Sequence, residues 1–155
     1  MEDKNLTRAQ AYKGARSTLL TLVILTAVNV VLLKLGIDLS FFVADDAITV
    51  SAYLASYGYY GSPLLGLGYA LAPLALMLAC YFLSAKQSKW LLAACAICVI
   101  DVVRLAYYSF SLLKTGSLIA SLIAQVLITG YLIYGYICAV RYYQETGEEI
   151  TEIKL

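Results

Sequence analysis

The sequence predicts an all-α integral membrane protein: a four-helix bundle with a short interfacial helix on its outer side. Three observations lead there. Apolar residues make up 62% of the 155 positions and charged residues only 14%, with a mean hydropathy of +0.81; a soluble domain carries nearer a quarter charged residues, because its surface must be wetted. Four long apolar runs fill most of the chain. None of them alternates in polarity with a period of two, which removes a porin-like barrel. Helices are then the remaining way to satisfy backbone groups in lipid.

The runs place spans at about residues 17–35, 64–85, 89–113 and 116–140. At 1.5 Å rise per residue each can cross a hydrocarbon core of about 30 Å, the first only just. The first run is too long for an ordinary signal-peptide core and no A-x-A site follows it, so it reads as an anchor. Tails of 1–16 and 141–155 remain. Asn5 to Arg16 can extend the first helix, with Leu6, Ala9 and Lys13 on one side. Glu145 to Leu155 is acidic and short of apolar residues, and reads as a frayed end. With no Ser/Pro-rich linker, 1–155 is read as a single membrane domain.

Basic residues orient the bundle. Lys4, Arg8, Lys13 and Arg16 lie in the N-terminal tail, Lys86 and Lys89 in the second connection, and Arg141 and Lys154 beyond the last span. The other two connections hold only Lys34 and Lys114. Eight against two places both termini in the cytoplasm, as in a multi-pass protein of the plasma (inner) membrane, with Asp38, Asp45 and Asp46 outside. The outer segment 37–63 holds a candidate short helix, capped by Ser40 or Asp45, with Ala47, Val50, Leu54 and Tyr57 on one face. Tyr57-Gly58-Tyr59-Tyr60-Gly61-Ser62-Pro63 follows as a turn. An interfacial helix is the preferred reading, because tyrosine favours the membrane boundary; a lid over a cavity among the helices is the other.

One feature conflicts with the apolar pattern. Asp101 and Arg104 sit in the middle of the third run, where a charge costs about 2.5–3.5 kcal/mol on insertion scales. Counted from the cytoplasmic ends, Asn29, Pro73, Asp101, Arg104 and Gln125 all lie about 18–24 Å deep, so four helices contribute a polar residue or a break to one layer. Asp101 and Arg104, three residues apart, can pair. Pro73 frees the carbonyl of Tyr69, for which Arg104 is a candidate donor. Two readings stay open: a clamp in which Asn29, Gln125 and the ion pair hold the helices in register, or a midplane site that relays protons or binds a polar head group. Above this layer, Tyr69, Tyr107 and Tyr108 form a candidate outer pocket.

Other chemistry is narrowed by absence. There is no histidine, which excludes histidine-ligated haem, zinc hydrolysis and Ser-His catalysis. Cys95 and Cys98 have CxxC spacing but lie in a span without a flanking outer pair, so they read as small apolar residues, as do Cys80 and Cys138. No basic cluster suits nucleic acid. Gly66/Ala70, Gly68/Ala72, Ala120/Ala124 and Gly135/Ala139 are spaced for close helix packing. No cofactor or metal site is expected, and catalysis ranks below binding or transport.

Ala15-Arg16, Leu19-Leu20, Thr26, Asn29, Leu32-Leu33, Ser40-Phe41-Phe42 and Ile100-Asp101 together resemble a group of small uncharacterised bacterial four-span membrane proteins. The resemblance runs from Arg16 to Tyr143 and is weakest after Asp46. It implies a four-helix membrane protein and carries no activity with it. The functional expectation is a non-catalytic protein binding a lipid or another membrane protein, or assembling with itself. The alternative is a small transporter or channel subunit using Asp101 and Arg104. Single-cysteine labelling of intact cells, in a cysteine-free background, should modify a probe at Ser62 and leave one at Gln87 untouched; the reverse pattern would invert the orientation.

Overall fold

The computed structural model describes residues 2–37, 46–59, 61–112 and 116–150. Its elements are α1 (Glu2–Lys34), α2 (Asp46–Ser56), α3 (Pro63–Ser84), α4 (Lys89–Tyr107), a π-helical turn (Tyr108–Leu112) and α5 (Gly116–Thr146). There is no strand among the described residues. Asp38, Ser40 and Asp45, named as outer or capping residues, lie outside them.

Local chemistry accounts for the helix ends. After α1, Gly36 takes φ 71° and the Ile37 amide reaches back to the Leu32 carbonyl at 3.0 Å, while the Gly36 amide reaches Leu33 at 3.2 Å. After α2 the same arrangement recurs at Gly58, with φ 74° and the Tyr59 amide on the Leu54 carbonyl. Both are Schellman stops, where a left-handed residue lets the last carbonyls find donors. Pro63 opens α3 at a position whose amide has no helical partner. Between Ser84 and Lys89 the chain reverses tightly, its amides bonding back to Phe82 and Leu83.

The four long helices run alternately up and down in a ring. α1 packs on α5 and α3, and α4 packs on α5 and α3. Each of the four is long and apolar enough to cross a membrane. Their outward faces are apolar: Leu127, Ile123, Val103, Ile100 and Leu76 are all largely exposed, whereas Thr26, Asn29, Asp101, Gln125 and Thr129 are buried. This pattern inverts that of a water-soluble bundle.

Small residues bring the helices together. A Cβ built on Gly135 of α5 would overlap the Cβ of Ala15 on α1, and Ala139 one turn on is buried beside it. The Gly135/Ala139 spacing therefore works inside the chain. Gly68 and Ala72 lie instead on the exposed side of α3.

Three expectations need correcting. First, α1 begins at Glu2, so Asn5 to Arg16 do extend the first helix, and α5 runs to Thr146; it is the packed face of the extension that differs. The overhangs pack on each other through Ala9, Tyr12 and Ala15 rather than Leu6 or Lys13, and Arg8 pairs with Glu145. Second, the C-terminal segment is docked as far as it is described. Gly147 (φ 75°) turns the chain, Ile150 is buried, and Glu149 accepts from the Ser88 amide at 3.4 Å. A single apolar side chain, unremarkable in an acidic stretch, anchors it. Third, α2 buries Ala47, Ile48, Ser51, Ala52 and Ala55 against α3, α1 and α4, while Tyr57 is exposed. Its small face allows closer approach than a face of Val50, Leu54 and Tyr57 would.

Replacing Gly135 with valine should destabilise the bundle by about 1–3 kcal/mol, because the α1–α5 contact leaves no room for the branch. Gly130→Ala, where nothing lies within 4 Å of the new methyl, is the matched control and should be neutral or slightly stabilising. Thermal unfolding in detergent reads both.

Candidate functional site

The polar layer is built around one side chain of α4. Arg104 donates from NH1 to Asp101 Oδ1 at 2.6 Å and from NH2 to Ser51 Oγ of α2 at 2.5 Å. Asp101 is fully enclosed, and the Arg104 side chain is 14% exposed. Ser51 Oγ lies 2.7 Å from the Ala47 carbonyl, to which only the serine can donate, and 3.0 Å from Tyr108 Oη. A hydroxyl has one donor and two acceptor positions. Ser51 therefore gives its hydrogen to Ala47 and accepts from both Arg104 and Tyr108. Its capacity is full.

The register of α4 creates this cluster. Asp101, Arg104 and Tyr108 recur at intervals of three and four residues and so share a face, with Leu105 buried beside them. The helix then widens into the π-helical turn, and Ser109 bonds back to the Leu105 carbonyl at 2.7 Å. Local widening of this kind often accompanies a functional site. On α3, the Tyr69 ring lies under the guanidinium, 5.1 Å from centroid to Cζ. The contact with Tyr69 is thus through its ring, not through the carbonyl released by Pro73. A planar cation stacks readily on an aromatic face.

Asn29 and Gln125 are buried, 2% and 1% exposed, and both are engaged in interactions. Thr26, fully buried on α1, and Thr129 on α5 add to the layer, each hydroxyl bonding back to the carbonyl four residues earlier. Ser51 was missed from sequence, because the face chosen for α2 was the one bearing larger side chains. The i, i+4 spacing of Ala47, Ser51 and Ala55 was the available signal. Asp46, at the start of α2, hydrogen-bonds Ser121 of α5; burial pushes its carboxyl above the usual range, and that bond draws it part of the way back.

Tyr69, Tyr107 and Tyr108 meet around one cavity of about 390 Å³, joined by Tyr59, Val103 and Arg104. It is open to one side, and Val103 stands at its exposed lip. A second hollow, about 300 Å³, lies between α2 and the end of α1 and is lined by Lys34, Tyr53, Ser56 and Tyr57 among others. The four cysteines are buried thiols, and no group of three or more Cys, Asp or Glu gathers as metal ligands among the described residues.

At the opposite end, Tyr12 donates to the Ser84 carbonyl at 2.7 Å and Arg16 Nε to Ser84 Oγ at 2.9 Å. Arg16 also stacks over Tyr81. These bonds tie α1 to the α3–α4 turn. They gather the N-terminal tail, that turn and the C-terminal segment, which together hold most of the basic residues, at one end of the bundle.

No protein-family model, curated protein or solved structure matches the chain.

A double-mutant cycle of Asp101→Asn and Arg104→Met, read by thermal stability in lipid or detergent, should show strong coupling. Each single change leaves a buried group uncompensated and should cost about 3–5 kcal/mol, less for the aspartate if the vacated arginine finds another acceptor. The double variant should lose clearly less than the sum. Additive losses would mean that the two residues act independently.

Proposed function

We propose that the protein is a multi-pass protein of the plasma membrane with both termini in the cytoplasm, and that it acts without catalysis by binding a lipid or a membrane partner. In this reading α1, α3, α4 and α5 are the spans and α2 sits at the outer boundary, plugged into the bundle by Ser51. The basic residues gathered at one end and the apolar outward faces support the placement.

The observation that carries the functional half is the state of Asp101. A proton-relaying carboxylate needs a water path, whereas Asp101 is 0% exposed and lies behind Arg104. The pair reads as a clamp. What remains accessible is the tyrosine-lined cavity above it, of a volume suited to part of a small amphiphile.

A second reading keeps one specific observation. The cavity reaches Arg104, which touches Asp101, so a small rearrangement would bring water to the carboxylate. That is what a small transporter or channel subunit would use.

Purification in native lipid, followed by mass spectrometry of the intact assembly, should retain a lipid or a protein partner in fixed ratio to the chain. Proton flux in proteoliposomes that is abolished by Asp101→Asn, with nothing retained, would replace the binding reading with the transport one.

A further inference from the structure

The cavity beside Arg104 has a chemical polarity that narrows its ligand. Among the described residues its polar lining consists of Arg104, Tyr59, Tyr69, Tyr107 and Tyr108, with no carboxylate. A guanidinium and a phenol are hydrogen-bond donors; Tyr108 already gives its hydrogen to Ser51 and adds its ring to the wall. Arg104 is paired with Asp101, but the two ends of that pair are not equally placed. The guanidinium forms part of the wall, whereas the carboxylate is enclosed behind it. A group in the cavity therefore meets the positive end of an oriented charge pair. NH1 and NH2, each with one hydrogen committed to Asp101 or Ser51, each carry a second.

The cavity also opens onto an apolar track. Tyr69 on α3 and Val103 on α4 both line it. From Tyr69 the exposed positions continue at helical spacing through Ala72, Leu76 and Ala79; from Val103 they continue through Val99, Ala96 and Leu92. The helices are antiparallel neighbours, so the two strips run side by side away from the cavity. A donor-rich, positively biased pocket at the head of such a track matches an amphiphile with an anionic, acceptor-rich head and hydrocarbon tails.

We propose that this cavity binds the head of an anionic phospholipid, its phosphate facing Arg104 and the Tyr69 and Tyr107 side chains, its acyl chains lying along α3 and α4. The inference rests on the binding reading above and names the ligand class for it. The choline of a zwitterionic lipid would bring a second cation beside Arg104, and a diacylglycerol would bring no anionic acceptor to it.

The test is intact-protein mass spectrometry of the full chain in detergent, titrated separately with phosphatidylglycerol, phosphatidylcholine and diacylglycerol of identical acyl chains. Phosphatidylglycerol should bind one per chain and about tenfold more tightly than either of the others, as expected for charge-assisted hydrogen bonds. Val103→Trp, which fills the mouth from an exposed position and leaves the ion pair alone, should remove that advantage. Tyr69→Phe with Tyr107→Phe should reduce it about threefold while keeping both rings.

Equal binding of the three lipids would overturn the headgroup assignment and leave lipid binding itself standing. Retention of phosphatidylglycerol by Val103→Trp would place the lipid elsewhere and overturn the site. Displacement of the lipid by millimolar inorganic phosphate would make this a small-anion site and overturn the lipid assignment. Binding of none of the lipids would overturn this inference together with the lipid branch of the proposed function, leaving a protein partner.

Discussion

The fold is organised by the need to enclose one ion pair inside a bundle whose outer surface is hydrocarbon-like. Asp101 and Arg104 lie on a helix with large apolar residues on its other faces, so they must turn inward. Once inside, each further hydrogen bond to the pair offsets part of the cost of burying its charges. Ser51 supplies one such bond. That single hydroxyl comes from outside the four long helices, on an α2 whose Ala47, Ile48, Ala52 and Ala55 are buried against the bundle. Ser51, saturated by Ala47, Arg104 and Tyr108, joins α2, α4 and the π-helical turn in one network.

Close packing makes this reach possible. Helices that meet in lipid gain little from hiding apolar surface, so they depend on near approach and on hydrogen bonds. Ala47, Ala52 and Ala55 let α2 settle deeply enough for Ser51 to meet Arg104, and Gly135 lets α5 settle against α1 at Ala15. At the other end Tyr12, Arg16 and Ser84 perform the same task with longer side chains, and Ile150 closes the edge. One end of the bundle is held by a charge pair and a small helix. The other is held by aromatic and hydroxyl contacts beneath a cluster of basic residues.

Arg104 has two faces, and this links architecture to the proposed role. Toward the interior it neutralises Asp101; toward the cavity it presents donors among four phenols. A residue used only as a clamp would serve as well if it were sealed. Its partial exposure beside a 390 Å³ cavity is what makes a ligand there chemically sensible.

Residue order alone determined an all-helical chain with four helices long and apolar enough to cross a membrane, because length and hydropathy are local properties that survive any arrangement of neighbours. It also determined that Asp101 and Arg104 would pair, since three residues on a helix is a fixed distance. The tyrosines at 69, 107 and 108 were legible as a group by depth along the helices. Which face of α2 turns inward was not: the apolar face read from sequence, with Val50, Leu54 and Tyr57, suited an interfacial helix, and only the space left by three neighbouring helices selects the small residues. Ser51 as the third member of the polar site, Tyr59 as a fourth cavity tyrosine, and the docking of Ile150 likewise depend on segments far apart in sequence. Their positions follow from how closely backbones can approach, a quantity set jointly by side chains on several helices and therefore decided only by tertiary structure.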